Sequence, residues 1–191
     1  MKNYFIIHGT KESPYGHWYG WMFNKLKNAG ENCIVPHFPD EGNYKQWKKV
    51  LEGYVDAGVI NADTIFICHS LGCVFVTKFL VEHRLRVSGI VAVAGFNADG
   101  VGENSEFINE INKSFLAKSK VLQKIRNFVK FYHCIYSDND PHLPIEVLMD
   151  FAKKTDAKVH EIEGAGHLTS QDGYAEFPFL WELLDKINTI V

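Results

Sequence analysis

The stretch Thr64-Ile65-Phe66-Ile67-Cys68-His69-Ser70-Leu71-Gly72-Cys73-Val74-Phe75-Val76 decides how this chain folds. Its first five residues form a short run of strand-forming type, and an apolar helical run begins almost at once after His69-Ser70. A strand apolar on every residue is buried on both faces, which is how the strands of a parallel sheet read. A serine at a sharp strand-to-helix turn has its hydroxyl raised clear of the sheet. The N–H of the next residue, Leu71, then sits at a helix N-terminus, where it can hold a developing oxyanion. The expected pattern is G-x-S-x-G, and here Cys68 stands for the first glycine. A serine here would equally suit ordinary helix capping. His69 leaves the strand on the opposite side from its neighbour and reads as a packing residue, not a base.

Outward from this stretch, apolar runs recur at 4–7, 33–36, 89–94, 131–136 and 158–162, which with 64–68 gives six candidate strands. Helical spacing separates them: Trp18, Trp21, Met22 and Leu26, then Trp47, Val50, Leu51 and Tyr54. Further helices are expected over 71–83, over 145–154 behind Pro144, and over about 179–190. Strands alternating with helices make an α/β domain with right-handed crossovers. The interval 96–129 is longer than one crossover needs and holds two weakly amphipathic pieces, making it the candidate for a small cap. At 191 residues, with 46% hydrophobic and 23% charged, the chain 1–191 reads as one domain.

Net charge is −3 and the lysines are interspersed with acids, so no basic stripe exists for nucleic acid or an anionic membrane surface. Cys33, Cys68, Cys73 and Cys134 show no CxxC spacing and read as free thiols. With no signal-peptide core and no apolar run of spanning length, the expected compartment is the cytoplasm.

Two further segments carry candidate chemistry. Ser137-Asp138-Asn139-Asp140-Pro141-His142-Leu143-Pro144 follows the fifth strand, where α/β sites are built. An acid here would accept the Nδ1 proton of a histidine. Asp138 and Asp140 both qualify. Asp140 is favoured because Pro141 stiffens the loop behind it, while Asp138 suits turn initiation. Ile162-Glu163-Gly164-Ala165-Gly166-His167-Leu168 presents a histidine on a glycine-rich loop after the last strand, and its pKa range suits a general base. Each segment alone reads as a plain turn. Ser70, Asp140 and His167 nevertheless occur in the chain order of α/β-hydrolases, each at the end of a successive strand. The first strand ends in His8-Gly9-Thr10, so the second oxyanion N–H falls to Thr10, then to Lys11. His17 reads as packing at a helix start.

On these residues the chain resembles the small serine hydrolases related to the bacterial YdeN proteins and the retinoblastoma-binding serine hydrolase of animals. The resemblance spans nearly the whole chain. It rests on Ile6-Ile7-His8-Gly9 with His17-Trp18 and Trp21, on His69-Ser70-Leu71-Gly72-Cys73, on Ser137-Asp138-Asn139-Asp140 with Leu143-Pro144, and on Gly166-His167-Leu168. It implies a compact α/β-hydrolase fold with strand order 2-1-3-4-5-6 and a Ser-His-Asp site at Ser70, His167 and Asp140 acting on esters or related acyl substrates. Relatives of this type tolerate a small residue where Cys68 stands.

The expectation is therefore a serine esterase that passes through an acyl-enzyme on Ser70, takes a small-molecule acyl or ester substrate, and needs no metal or organic cofactor. Its rivals are a thioesterase or peptidase with the same residues, and an interaction protein that keeps the fold without the chemistry. The surface composition leaves room for a protein partner but names none.

Overall fold

All six apolar runs become strands of one parallel sheet in the computed structural model, which describes residues 2–99, 101 and 106–190. In chain order the elements are β1 (Asn3–Ile7), α1 (Tyr19–Asn28), β2 (Asn32–Ile34), α2 (Tyr44–Asp56), β3 (Thr64–His69), α3 (Leu71–His83), β4 (Val87–Val93), α4 (Glu106–Phe115), α5 (Ser119–Lys124), β5 (Val129–Ser137), α6 (Ile145–Thr155), β6 (Lys158–Ile162) and α7 (Pro178–Ile190). Short 3₁₀ turns at Ile125–Asn127 and Ser170–Asp172 complete the chain.

The sheet order is β2-β1-β3-β4-β5-β6. Because the chain winds outward in one direction to β2 and in the other from β3, the order reverses between β1 and β3. Strand loops diverge at such a point and leave a crevice beyond the carboxyl ends. Register places Ile7 beside Cys68 and His69 beside Val93, so the residues after β1 and β3 emerge together at that crevice.

Alternation along the strands sorts the core into two layers. Phe5, Ile7, Phe66, Cys68, Ile90 and Ala92 face one side, where α2, α3, α5 and α6 cover them. Tyr4, Ile6, Ile65, Ile67, Val91 and Val93 face the other, under α1 and α7. Helix α3 is buried almost all round, matching its lack of a polar face.

Boundaries differ where backbone chemistry intervenes. β2 stops at Ile34 instead of 36, since Pro36 has no N–H to pair. β4 ends at Val93 because Ala94 turns to φ 49°. β5 is three residues longer than the apolar run, gaining Val129, Lys130 and Ser137. Within 96–129, α5 and the turn after it bury Leu122 and Ile125 in the core, so this part is a crossover. Among the described residues of the expected cap, α4 is the part that overlies the crevice, its Asn112 bonded to Thr10, and residues 100 and 102–105 lie outside the described ones. Among the described residues, no helix is long and apolar enough to cross a membrane, and all four cysteines are free thiols.

Candidate active site

Ser70 sits at φ 51°, ψ −124°, outside the regions that non-glycine residues prefer, and no side-chain cap bond compensates. The capping reading of this serine therefore fails. The turn is held by backbone instead: Ser70 N–H donates to the Val93 carbonyl at 2.9 Å, and Cys73 N–H returns to the Ser70 carbonyl at 3.1 Å. Leu71 N–H, in the first turn of α3, has no intrahelical acceptor. Gly9 packs so tightly on Ser70 that a Cβ there would lie 2.9 Å from the serine Cβ, which keeps the Gly9-Thr10 backbone against the elbow. Thr10 also reaches the overlying helix, donating from Oγ1 to Asn112 Oδ1 at 2.8 Å.

The loop carrying His167 is clamped from the end of β5. Ser137 Oγ accepts Ala165 N–H at 2.8 Å, Asn139 Oδ1 accepts Gly166 N–H at 2.8 Å, and Asp138 Oδ1 accepts Gly164 N–H at 2.7 Å. Asp172 then takes His167 N–H at 3.1 Å. Gly166 has φ 60°, and a Cβ on it would run into the Asp172 carboxylate, so this position requires glycine on two counts.

With the backbone fixed, His167 Nδ1 lies 2.6 Å from Asp140 Oδ2. The other Asp140 oxygen accepts His142 N–H at 2.8 Å and Leu143 N–H at 3.0 Å, and the side chain is 1% exposed. Of the two sequence candidates, Asp140 faces the imidazole and Asp138 anchors Gly164. An acceptor at Nδ1 puts the ring proton there and leaves the Nε2 lone pair free, the tautomer a base needs. Burial pushes the His167 pKa down and wins over the stabilising bond and charge of Asp140, with the nearby His69 adding to the fall. The Ser70 and His167 regions meet through His69, whose Nε2 is 3.0 Å from the His167 carbonyl and whose ring centroid is 4.9 Å from that of His167. Ser70 Oγ makes no hydrogen bond among the described residues. Bonds of this type tighten when substrate binds.

A chain that is 26% identical to this one over 187 residues, covering 96% of it and 94% of the relative, is YdeN of Bacillus subtilis (strain 168), named a hydrolase. The family model for serine hydrolases matches residues 4–186. The chain belongs to the serine hydrolase family. The serine hydrolase RBBP9 of Rattus norvegicus is 23% identical over 158 residues, 81% of this chain and 80% of that one. The crystal structure of the B. subtilis ydeN gene product superposes with a TM-score of 0.86 at 25% identity, covering 99% of this chain and 100% of that one. The meta-cleavage product hydrolase of Pseudomonas fluorescens shares the fold at TM-score 0.71 and 12% identity, over 97% of this chain and 91% of that one. As a serine hydrolase of α/β-hydrolase fold, this chain has its elbow and acid–histidine loop at the strand ends where that fold builds its sites.

One part of this serine hydrolase's site has no counterpart in the sequence reading. Glu12, in the loop after β1, collects four donors. Gly9 N–H donates at 2.8 Å, His17 Nε2 lies at 3.3 Å, His69 Nδ1 lies at 3.0 Å, and the Tyr19 hydroxyl bonds it as well. Their carboxylate and ring-nitrogen atoms come within 4.8 Å of one another, a spacing that could hold a metal ion. The tautomers oppose this. His17 Nδ1 accepts Ser170 N–H at 3.1 Å, so its Nε2 carries the proton and has no lone pair to offer a cation. The cluster is a hydrogen-bonded one. His17, taken as packing, thus belongs to it, and no spacing or periodicity would have marked a lone glutamate in a loop.

Proposed function

We propose that this hydrolase cleaves small carboxylic esters, with Ser70 as nucleophile, His167 as general base and Asp140 as the acid that orients it. His167 Nε2 takes the Ser70 proton as the serine oxygen attacks the ester carbonyl. The backbone N–H groups of Leu71 and Thr10 hold the oxyanion. The same histidine protonates the leaving alcohol, then activates the water that releases the acid from the acyl-enzyme. The observation that carries this reading is the strained backbone at Ser70, φ 51° and ψ −124°. Such strain costs about 1–3 kcal/mol and persists where it serves a site. Here it gives the helix no cap, and the residue before it on β3, His69, lies against the loop that holds the Asp140-bound imidazole, an arrangement an interaction protein would not need.

The acyl group is assigned to the crevice beside the two oxyanion donors, between Thr10, Leu71, Trp47 and Ile111, which has a volume of about 10 Å³. That is roughly the room one water needs, so the walls must give way for any acyl group, and the smallest, such as acetyl, is the expected preference. A wider opening of about 580 Å³ beside Glu12, His17 and Ser170 would take the alcohol portion.

The test is labelling by a fluorophosphonate together with p-nitrophenyl acetate turnover. Labelling and turnover in wild type, with both lost in Ser70→Ala, are expected, the turnover falling by roughly a thousandfold or more. Because burial holds the His167 pKa below the ordinary 6.5, kcat/KM should rise with pH through a midpoint under that value and then level off. Intact protein that stays unlabelled sinks the reading. Comparing thioester and peptide analogues with the acetate ester separates the same-site alternatives.

A further inference from the structure

The proposed mechanism leaves the most elaborate buried polar group of the molecule without a role. His69 is fully buried, and both its nitrogens face acceptors. Nε2 points at the His167 carbonyl, 3.0 Å away, which accepts only. Nδ1 faces Glu12 Oε1 and Oε2 at 3.0 and 3.3 Å and the Tyr19 oxygen at 2.9 Å. That tyrosine oxygen is free to accept because its own proton goes to Glu12. Assigned from these partners, both ring nitrogens carry protons, and the ring is an imidazolium paired with a carboxylate.

We propose that Glu12 and His69 form an ion pair that positions the hydrolytic site, fixing the His167 loop through His69 Nε2–H and the Gly9-Thr10 loop through Glu12. This rests on the reading of Ser70 and His167 given above. One carboxylate is thereby tied to both sides of the elbow: through Gly9 N–H it holds the strand-end loop that offers the second oxyanion donor, and through His69 it holds the carbonyl of the base. Neither residue touches the reacting atoms, so both are positioning residues.

The pair also has an electrostatic consequence. A cation whose ring centroid lies 4.9 Å from that of His167 opposes a second positive charge there, which keeps the base unprotonated at rest. When His167 does accept the serine proton, His69 and His167 stand against Glu12 and Asp140, two charges against two. Glu12, His17 and Tyr19 face His69 from the loop after β1 and from α1, with His167 and Asp140 on its other side. Asp140, His142 and His69 surround the His167 ring, and Asp172 bonds its backbone. Burial pulls the His69 pKa down, but the charge and bond of Glu12 outweigh it and the net direction is upward.

Three measurements on the full chain test this. In wild type, ¹⁵N-histidine NMR at about pH 7 should show one ring with both nitrogens protonated, absent from His69→Gln and still protonated after the other histidines have titrated. In Glu12→Gln and His69→Gln, kcat for p-nitrophenyl acetate per fluorophosphonate-titrated site should fall roughly 10- to 100-fold with KM nearly unchanged. In His69→Gln the acid limb of kcat/KM should also move to higher pH, because the nearby cation is gone while Glu12 remains. Counting active sites by titration removes misfolded protein from the comparison. A neutral His69 at pH 7 overturns the proposal. So do variants whose surviving sites keep the wild-type kcat and acid limb, and in that case labelled Ser70 leaves the hydrolase reading standing. Wild type that never labels fails the underlying reading first.

Discussion

A methyl group on Gly72 would lie 2.6 Å from the His8 carbonyl oxygen and 2.8 Å from that of Ile7, both backbone atoms that cannot turn away. Helix α3 thus starts directly against the end of β1, and that approach brings Ser70 beside Gly9. Gly72→Ala should cost about 1–3 kcal/mol in urea unfolding and lower the labelling rate of Ser70 more than it lowers stability. A labelling rate unchanged in the folded variant would show that the approach does not position the elbow. Cys68 stands where the motif has its other glycine, and its environment is different. Its side chain is fully buried among the core residues of one sheet face, so the strand accepts a compact apolar group there. Burial also drives its thiol pKa up, which keeps it unreactive beside the elbow.

At the scale of elements, the six strands and the helices between them were legible because hydrophobic period is a local property. An unbroken apolar run such as 64–68 reads as a doubly covered strand wherever it lies in the chain. The catalytic candidates were legible for a related reason: each follows a strand directly, so predicting the strand predicts the rim. Glu12 and His17 were not, since their roles arise where the loop after β1 meets His69 from β3 and Ser170 from the segment after β6. His133 and His160 are a second pairing of this kind. They sit on neighbouring strands β5 and β6, with His133 Nδ1 2.8 Å from His160 Nε2 and the rings stacked at 5.1 Å. Burial lowers both pKa values, that of His133 to about 4. A folded pKa below the unfolded 6.5 means the unfolded chain binds the extra proton first, so stability from His133 is present above 6.5 and lost as pH falls toward 4. β6 is an edge strand held in the sheet by β5 alone. Amide exchange across β6 should therefore quicken on acidification through this window while β3 stays protected, and His133→Phe should flatten the effect. An equal quickening of β3 would mean global unfolding and not release of the edge.

For the molecule as a whole, the Glu12–His69 pair makes a prediction about stability that is separate from its part in catalysis. The Glu12 pKa is held well below its ordinary 4.5: burial acts to raise it, but the charge of His69 and bonds from His17, His69 and Tyr19 prevail. Its support for the fold is therefore present above 4.5 and is lost as pH drops through the lowered folded value. His69 runs the other way. Its folded pKa lies above 6.5, so its support is complete below 6.5 and is lost as pH climbs through the raised value. The pair should stabilise most between roughly 4.5 and 6.5, where both partners are charged in the folded and unfolded chain alike. Wild-type stability alone will not reveal this, because His8, His133, His160 and His167 all have lowered pKa values and lose their support on the acid side. The difference between wild type and Glu12→Gln cancels those shared titrations to first order. Measured by urea unfolding at a series of pH values, that difference should be widest in the window and narrow on the alkaline side as His69 releases its proton. A difference that is flat from acid to alkaline pH would mean that Glu12 acts through neutral hydrogen bonds, with no buried charge opposite it.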